Sequence, residues 1–545
     1  MSFGGSTNFF ASYKWWAASS LGTAYILVNT VPQLTIRHST WGTATAIFFL
    51  QWLVYGIYAV IIYHRFISPL RHLPTVEEGN NWFFGQWLNI GKEPSGVPMR
   101  RWQNQVPNQG LVRYLGLFNR ERLLITSPKA LQEILQTKNY DFARPKFLLA
   151  GVGKILGIGL LLAEGDDHKF QRKGLMPAFN FRHIKNLYPV FWSKSRELCM
   201  QIEKQELAVN GQGSMVEVGE WASRAALDII GLAGMGQDFN SLQDPNTELN
   251  ATYRKVFAPD RVAQILGLLS FFLPQWLIQN LPISRNHDVN AASDVARATS
   301  RKLVEQKKQK MANKEQLSPD IISVALESGV FTDDKLVDNM MTFLAAGHET
   351  TASSMTWAAY LLSQHPEVQT KLREEVRKHI PSINESPDDT VIDNLPYLHA
   401  VVQEVLRLYS PVPLTIREAV VETSILGEPV PKDTVLLIAP WATNWNKELW
   451  GADAEEFDPE RWMKSGQANS GGASSNYAFL TFLHGPRSCI GQKFATAELA
   501  CLLAAFVGRF EFVQTYPDEE IIVKGGITAR PRNGMRVNLK TVEGW

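Results

Sequence analysis

Cysteine is scarce in this chain, which has three cysteines among 545 residues. They lie far apart at Cys199, Cys489 and Cys501, so a disulfide framework is excluded and a reducing compartment is favoured. An excess of charge of either sign is lacking too, because 54 basic and 53 acidic residues give a formal net charge of +1. The chain therefore has no broad basic character of the kind that binds nucleic acid, and we expect no nucleic-acid partner.

One long stretch near the N-terminus lacks charge altogether. The 23 residues 41–63 carry no formally charged side chain, which is enough for a helix to cross about 30 Å of hydrocarbon. The basic residues Arg65 and Arg71 follow directly, so the positive-inside rule places the rest of the chain in the cytosol. The sequence therefore predicts a transmembrane helix at 41–63, since a cleaved signal peptide would start earlier and be shorter.

The regions flanking this helix are less regular. Residues 1–40 contain a second apolar run, 15–31, which predicts either another span or a segment that lies at the membrane interface. Residues 64–80 contain prolines and predict a stiff hinge. Residues 81–545 show many helical patterns, such as a single helical run at 184–206, a few short β-like pieces and no repeats, which predicts one mainly α-helical domain with a small β part.

Cys489 lies in the ten-residue stretch Phe482–Gly491, with the sequence FLHGPRSCIG. A thiolate that ligates haem iron must approach the metal on a tight loop, where Gly485 and Gly491 supply conformations and clearance that a Cβ would forbid. Arg487 offers a fixed cation to a haem propionate, and Phe482 would shield the sulfur from water. We expect Cys199 and Cys501 to be ordinary buried cysteines.

This stretch resembles the haem-binding loop of the cytochrome P450 family. The resemblance implies the mainly α fold of that family with its small β part, preceded here by a transmembrane helix, and haem as the cofactor with Cys489 as the axial ligand. The chain as a whole resembles microsomal, fungal-style members. That likeness implies the endoplasmic reticulum membrane, with the catalytic domain facing the cytosol, and a role in secondary metabolism.

A long helix carrying an acid and a hydroxyl is the first further landmark that the resemblance implies. Thr332 is suited to cap a helix that runs without proline to about Gln364 and contains the sequence AGHETT. In the family the threonine hydroxyl holds dioxygen and the acid feeds protons, so Thr350 and Glu349 take these catalytic roles by resemblance. His348, in the variable position, is expected to be a helix-surface or supporting residue, not an iron ligand.

The second landmark is the pair Glu404 and Arg407, which share one helix face. A second copy of the pattern, Glu374 and Arg377, is expected to be a solvated surface pair. The resemblance makes Glu404, Arg407 and the downstream Arg461 a buried charge network with a structural role, in which loss of one partner would cost about 3–5 kcal/mol.

Basic residues at two more places are predicted to bind the haem propionates. Arg417 lies where the family has a strand whose basic residue touches a propionate, although a solvated strand charge is the alternative. Arg172 lies where the family has a propionate-binding arginine, and His168 replaces the tryptophan usual four residues before it. An imidazole can still donate a hydrogen bond to a propionate.

The predicted function is that of a haem-thiolate monooxygenase acting on an apolar small molecule. The chain has no flavin-binding extension after Cys489, so the expected electron donor is a separate NADPH-cytochrome reductase, with cytochrome b5 as a further candidate partner, and the lipid bilayer surrounds the anchor. Two alternatives stay open, namely a same-fold isomerase or dehydratase acting on a peroxide and a non-catalytic haem sensor. The substrate cannot be predicted from the apolar loop 143–154, nor can it be decided whether residues 265–278 dip into the membrane.

Overall fold

The computed structural model describes residues 13–545, except 147, 150–152, 154–155, 252–261, 263–264, 267–268, 270–274, 316–317 and 525–527. The chain forms two compact units. Unit 1 comprises residues 1–93, 97–143 and 415–442, and unit 2 comprises residues 94–96, 144–414 and 443–545. Helix predominates in the described residues, and the strands are short, which confirms the predicted class.

Unit 1 consists of N-terminal helices followed by a small mixed sheet. Its helices are α1 (Tyr13–Thr30), α2 (Thr40–Ile57), α3 (Trp87–Lys92), α4 (Val97–Gln105) and α5 (Pro128–Gln132). Its strands are β1 (Leu111–Leu115), β2 (Glu121–Ile125), β3 (Phe142–Ala143), β5 (Thr415–Ala419), β6 (Thr423–Ile425), β7 (Glu428–Val430) and β8 (Val435–Ile438). The five-stranded sheet has the order β1-β2-β8-β5-β3, in which only β2 and β8 are parallel, and β6 and β7 form a separate hairpin.

Unit 2 is built mainly of helices. They are α6 (Gly165–Leu175), α7 (Phe181–Lys185), α8 (Tyr188–Ile202), α9 (Ala208–Asn210), α10 (Val218–Ile229), α11 (Gln275–Gln279), α12 (Ser284–Ala312), α13 (Ile321–Glu327), α14 (Asp333–Gln364), α15 (Pro366–His379), α16 (Asp389–Asp393), α17 (Pro396–Leu408), α19 (Lys447–Trp450) and α20 (Gln492–Arg509), while α18 (Pro440–Thr443) crosses the sequence boundary between the units. The strands β4 (Ser214–Glu217), β9 (Phe510–Gln514) and β12 (Arg536–Thr541) form an antiparallel sheet with β12 in the middle, and β10 (Val523–Lys524) pairs with β11 (Arg530–Pro531).

Helices α14 and α20 form the centre of unit 2. Helix α14 starts as predicted, because the hydroxyl of Thr332 accepts a hydrogen bond from the backbone N–H of Lys335 and two aspartates occupy the first turn. Helix α20 is buried from Ala497 to Gly508. A run of small and apolar residues on all sides of a helix is typical of such a central position, and α20 packs against α8 through the rings of Phe191 and Phe494, whose centroids are 4.9 Å apart.

Two predicted helices differ from those observed. The single helix expected at 184–206 is interrupted at residues 186–187, since α7 ends at Lys185 and α8 begins anew at Tyr188 with Pro189 in its first turn, where proline is tolerated. The helix predicted at 41–63 is longer, because α2 continues without interruption as a wider π-helical segment, Tyr58–Ile67. By length and hydropathy this combined helix of 28 residues is a candidate membrane span.

Candidate active site

The cysteine loop forms a tight turn stabilised by its own backbone. The N–H of Cys489 donates to the carbonyl oxygen of Phe482 at 2.8 Å, and that of Ser488 donates to Gly485 at 3.0 Å. Gly485 has a φ of +74°, a conformation that a residue with a side chain rarely adopts. Gly491 has an ordinary φ of −85°, and a Cβ there would lie 3.9 Å from Cys489 Sγ, so this glycine leaves space beside the thiol and supplies no special conformation.

Cys489 faces a cavity in unit 2 that is partly open to solvent. Its thiol is exposed to this space, whereas Cys199 and Cys501 are fully buried, as predicted. The position of Cys489 below the protein surface raises the pKa of its thiol, while the backbone N–H of Gly491 and the charge of Arg172 act in the opposite direction. Phe482 is half-buried and does not line the cavity, so its shielding role stays a prediction.

The same cavity is lined by α14. Ala346, Gly347 and Thr350 contribute to its wall, and the apolar side chains of Phe179 and Phe343 lie beside them. The small residues predicted to accommodate a flat cofactor are therefore on the cavity surface. The hydroxyl of Thr350 donates to the carbonyl oxygen of Ala346 at 2.7 Å, the local bond usual for a threonine inside a helix.

The acid next to Thr350 points elsewhere. Glu349 is buried, accepts a hydrogen bond from the Thr528 hydroxyl at 3.0 Å and forms an ion pair with Arg530 at 3.3 Å, and it does not line the cavity. His348 is also buried, with its Nε2 2.6 Å from the hydroxyl of Ser223, and burial lowers its pKa. It is thus a supporting residue and not one on the helix surface.

Basic side chains are concentrated in the cavity wall. Arg144, Arg172, Arg487 and His168 all line it. Burial, together with the charges of the three arginines, lowers the pKa of His168 to about 4, so this imidazole is neutral at physiological pH and can donate one hydrogen bond.

The arginines also hold the cysteine loop and the segment before α6. Arg172 donates to the carbonyl oxygen of Ser488 at 2.7 Å and to its hydroxyl at 3.2 Å. Glu164 forms ion pairs with Arg487 and, at 3.5 Å, with Arg144. Sequence reasoning missed Arg144, whose only signal was its position at the start of the apolar loop 143–154.

A further missed residue is Glu498, the only acidic side chain among the described residues that line the cavity. Its Oε2 accepts a hydrogen bond from the hydroxyl of Thr351 at 2.8 Å, and this bond connects α20 to α14. Complete burial raises the pKa of Glu498 to about 8, so this carboxyl is neutral at physiological pH. A glutamate within the otherwise small and apolar pattern of α20 was the available signal.

These residues fit the predicted haem. Three arginines line the cavity, and guanidinium groups are suited to hold the two propionates of haem. The single thiol fits an iron that arrives within a macrocycle, because no group of three or more His, Cys, Asp or Glu side chains converges in the described part of the chain. Cys489 would ligate the iron, and Arg144, Arg172 and Arg487 would hold the propionates.

The predicted charge network is present in unit 2 and completely buried. Arg407 donates from Nε and Nη2 to the two carboxylate oxygens of Glu404, each at 2.8 Å, and Arg461 Nε donates to Glu404 at 2.9 Å. The remaining guanidinium donors of Arg407 bond to the carbonyl oxygens of Asn444, Ala454 and Glu456. The network joins α17 to the segment that follows α19.

The second copy of the pattern, expected to be a surface ion pair, has another arrangement. Glu374 is exposed as expected. Arg377, however, donates to the carbonyl oxygens of Gly508, Val542 and Glu543, and so holds the C-terminal segment against α15 and α20. Its predicted role was wrong because these acceptors lie more than 130 residues away in sequence.

Arg417 lies in unit 1, on β5, and is buried. Its Nη1 donates to the Thr415 hydroxyl at 3.0 Å and to the Ile416 carbonyl oxygen at 2.9 Å. The alternative of a solvated strand charge is thus wrong, while its contact with a propionate stays a prediction.

Comparisons with known proteins agree with this geometry. The sequence matches the cytochrome P450 family over residues 74–536. It is 47% identical to the cytochrome P450 monooxygenase sphH of Aspergillus fumigatus over 498 residues, which cover 90% of this chain and 91% of that protein. It is also 41% identical to the cytochrome P450 monooxygenases ALT8 of Alternaria alternata (89% of this chain, 92% of that protein) and FUM15 of Gibberella moniliformis (89% and 91%).

Proposed function

The chain belongs to the cytochrome P450 family and is a haem-thiolate monooxygenase, and we propose that it inserts one oxygen atom of O2 into an apolar small molecule. The observation that carries the proposal is the cavity of unit 2, where the thiol of Cys489, the wall formed by α14 and the side chains of Arg144, Arg172 and Arg487 meet. The relatives are monooxygenases, which favours this class over a peroxide isomerase or a haem sensor.

The arginines and His168 bind and orient the cofactor in this proposal. Arg487 lies within the cysteine loop and Arg172 donates to Ser488 of the same loop, so a propionate that displaced Glu164 or Ser488 would find a preformed guanidinium donor. Haem, when bound, supplies the activation of oxygen, and a thiolate ligand favours O–O cleavage.

Thr350 is the proposed hydroxyl donor to the oxygen site. Its Oγ1 lies at the cavity wall and needs only to exchange its bond with the Ala346 carbonyl for one directed into the cavity. Glu349 is proposed to supply protons from behind, because its carboxylate is held by Thr528 and Arg530 on the other side of α14. Glu349 would take up a proton from solvent water and pass it to Thr350 Oγ1 through water or a side-chain rotation.

The substrate is proposed to be apolar. Leu160, Leu161, Phe179, Ile230 and Phe343 line the cavity and provide contacts without hydrogen-bonding capacity. The loop that carries the leucines is held against α14, since the Leu160 N–H donates to Asn339 at 2.9 Å. Similarity to fungal monooxygenases supports a role in secondary metabolism.

Electrons are proposed to come from a separate NADPH-cytochrome reductase, with cytochrome b5 as a further donor. The combined helix 40–67 supports attachment to a membrane, and we place the protein in the endoplasmic reticulum with its catalytic domain facing the cytosol. Arg65 and Arg71, which follow the apolar run, support this orientation.

The function is tested by reconstitution with reductase and NADPH. Substrate-dependent oxygen uptake with formation of a hydroxylated or epoxidised product is expected, whereas conversion of a lipid peroxide without reductant would contradict the proposal. A spectral titration against lipids, terpenoids and polyketides, followed by product analysis, would identify the substrate class.

The role of Thr350 has a matched control on the same helix. Thr350 and Thr356 both donate to the carbonyl oxygen four residues earlier at 2.7 Å, but only Thr350 lines the cavity. We expect Thr350→Ala to lower the product formed per NADPH consumed, because proton delivery is impaired, while Thr356→Ala leaves this ratio unchanged. Equal ratios in the two variants would exclude the proposed role.

A further inference from the structure

The N-terminal helices of unit 1 form an antiparallel hairpin. Helix α1 ends at Thr30 and α2 begins at Thr40, and the ring of Trp16, near the start of α1, lies 5.1 Å from that of Tyr55, near the end of α2. The hydroxyls of Ser19 and Ser20 lie 3.3 and 3.2 Å from Oε1 of Gln51. The two helices are thus paired along most of their length.

The polarity of this hairpin is the reverse of that in a water-soluble pair. The residues buried between the helices are small or polar, namely Ser20, Ala24, Thr43 and Ala44. The outward surface instead carries large apolar and aromatic side chains, beside the polar Ser19, Thr23 and Asn29 of α1; they are Trp15, Leu21, Tyr25 and Ile26 on α1 and Trp41, Phe49, Leu50, Trp52, Leu53, Val54 and Ile57 on α2. Small residues inside and large apolar residues outside are typical of helices that pack within lipid.

Gln51 distinguishes a second span from a helix lying on the membrane surface. It lies eleven residues after the start of α2, about 17 Å along the helix axis and close to the middle of the bilayer if α2 spans it. A glutamine amide exposed to hydrocarbon there would be costly unless it were bonded. The bonds come from Ser19 and Ser20, so α1 must be inside the bilayer beside Gln51.

Length and charge agree with two crossings. Helix α1 has 18 residues and is about 27 Å long, close to the hydrocarbon thickness of about 30 Å. Residues 15–36 carry no formal charge, as residues 39–63 do not. Lys14 and Arg65 lie at the open end of the hairpin and Arg37 lies at its turn, and Arg71 follows shortly after the open end. The open end therefore carries more basic residues than the turn, which favours the cytosolic side for the open end.

We propose that residues 13–67 form a membrane hairpin that crosses the bilayer twice, with its turn on the lumenal side and both of its ends on the cytosolic side. The occupant of its outward surface is the hydrocarbon of the bilayer. The proposal deepens the membrane attachment proposed above and rests on it. It also decides the alternative that the sequence left open for residues 15–31 in favour of a second span.

The topology is tested with the full-length protein in sealed microsomes. The chain receives an N-terminal epitope tag and the substitution Gln33→Cys in the turn, and Lys464→Cys on the exposed surface of unit 2 is the accessible control. We expect externally added protease to remove the tag, and a membrane-impermeant maleimide to label the turn only after permeabilisation, while Lys464→Cys is labelled at once.

Other outcomes overturn the hairpin and identify the reason. A protected tag with a protected turn means that α2 alone spans, which leaves membrane attachment intact. A tag and a turn that are both accessible mean that neither helix spans, and extraction of the chain by alkaline carbonate would then refute the membrane attachment as well. A protected tag with an accessible turn means the opposite orientation if Lys464→Cys is protected as well, and a span formed by α1 alone if Lys464→Cys is accessible.

The pairing itself is tested by cross-linking in the membrane. Ser20→Cys combined with Gln51→Cys should be joined by a short bifunctional methanethiosulfonate reagent, because the native side chains contact each other in the hairpin and the reagent replaces the length lost from the glutamine. Thr23→Cys combined with Gln51→Cys is the matched control, since Thr23 is exposed on α1. Equal cross-linking of the two pairs, measured by protection from a mass-tagged maleimide after denaturation, would refute the proposed packing.

Discussion

Replacement of Glu404 by glutamine should destabilise the fold strongly. Its carboxylate accepts five hydrogen bonds, from Nε and Nη2 of Arg407 at 2.8 Å, Arg461 Nε at 2.9 Å, Trp462 Nε1 at 3.0 Å and the Asp458 N–H at 3.1 Å. Both guanidinium groups are at most 3% exposed, so water cannot replace the lost negative charge.

The expected loss is about 3–5 kcal/mol, the cost of leaving a buried charge without its partner. The carbonyl acceptors of Arg407 remain, but these neutral groups do not compensate its charge. Because a domain is stable by only about 5–15 kcal/mol, this loss would remove a large part of the stability. Glu404→Asp keeps the charge but shortens the side chain, so its free energy of unfolding should lie between those of the wild type and Glu404→Gln.

The matched control is Glu374→Gln. Glu374 is also a glutamate that lies three residues before an arginine, Arg377, as Glu404 lies three residues before Arg407. Glu374 is exposed, so its substitution should change the free energy of unfolding by no more than about 0.5 kcal/mol. The measurement is urea unfolding of the purified haem protein, followed by tryptophan fluorescence and by the Soret band. A difference of less than about 1 kcal/mol between the variants would refute the network as a source of stability, whereas failure of the Glu404 variant alone to accumulate would agree with it.

Three further predictions concern other residues of unit 2. The stability of Glu498→Gln relative to the wild type should rise by about 1.4 kcal/mol per pH unit between pH 5 and 8, and no further above pH 8, as measured by pH-dependent unfolding. In this window the carboxyl of the unfolded wild type is ionised, whereas that of the folded protein stays protonated because its pKa is raised to about 8. The wild type therefore loses stability as the pH rises, and the glutamine variant does not. A pH-independent difference would show that this carboxyl is ionised in the folded protein. Cys489→Ser should abolish the thiolate-type absorption of the ferrous carbonyl adduct, and persistence of that band would refute Cys489 as the ligand. Trp545→Ala should lower the thermal midpoint by an amount that corresponds to a loss of about 3–5 kcal/mol in the free energy of unfolding, because this ring is 8% exposed and donates to the Ile380 carbonyl. Trp82→Ala, at a position 68% exposed, should change the midpoint little. Equal shifts in the two variants would contradict the packing of Trp545.

Local patterns were sufficient where the chemistry depends on residues close together in sequence. The cysteine loop, the cap of α14 at Thr332 and the pair Glu404–Arg407 were predicted from spacings of ten residues or fewer, and the structure has the predicted loop, cap and pair. Arg461 lies further along the chain and was placed by family resemblance, and in the structure its Nε donates to Glu404.

Local patterns failed where distant segments decide a role. Arg377 has the same spacing to an acid as Arg407, yet its partners are backbone carbonyls of the C-terminal segment, which spacing cannot indicate. Arg144 lines the cavity and forms an ion pair with Glu164, which lies twenty residues later, and no sequence motif surrounds Arg144. Glu349 and Thr350 are adjacent in sequence, but successive positions of a helix face different directions. Their side chains therefore lie on different sides of α14 and have different partners.

The two helices that frame the cavity are also bonded directly to each other. Thr351 follows the proposed hydroxyl donor on α14, and Glu498 lies on α20, which starts at Gln492, three residues after Cys489. Because the raised pKa keeps Glu498 protonated at physiological pH, the bond from Thr351 Oγ1 joins neutral groups and places no additional negative charge beside the thiolate. An ionised carboxylate there would repel the thiolate and the propionates alike. The burial that lowers stability at high pH therefore also makes this glutamate compatible with an anionic cofactor, and the connection between α20 and α14 is neutral for that reason.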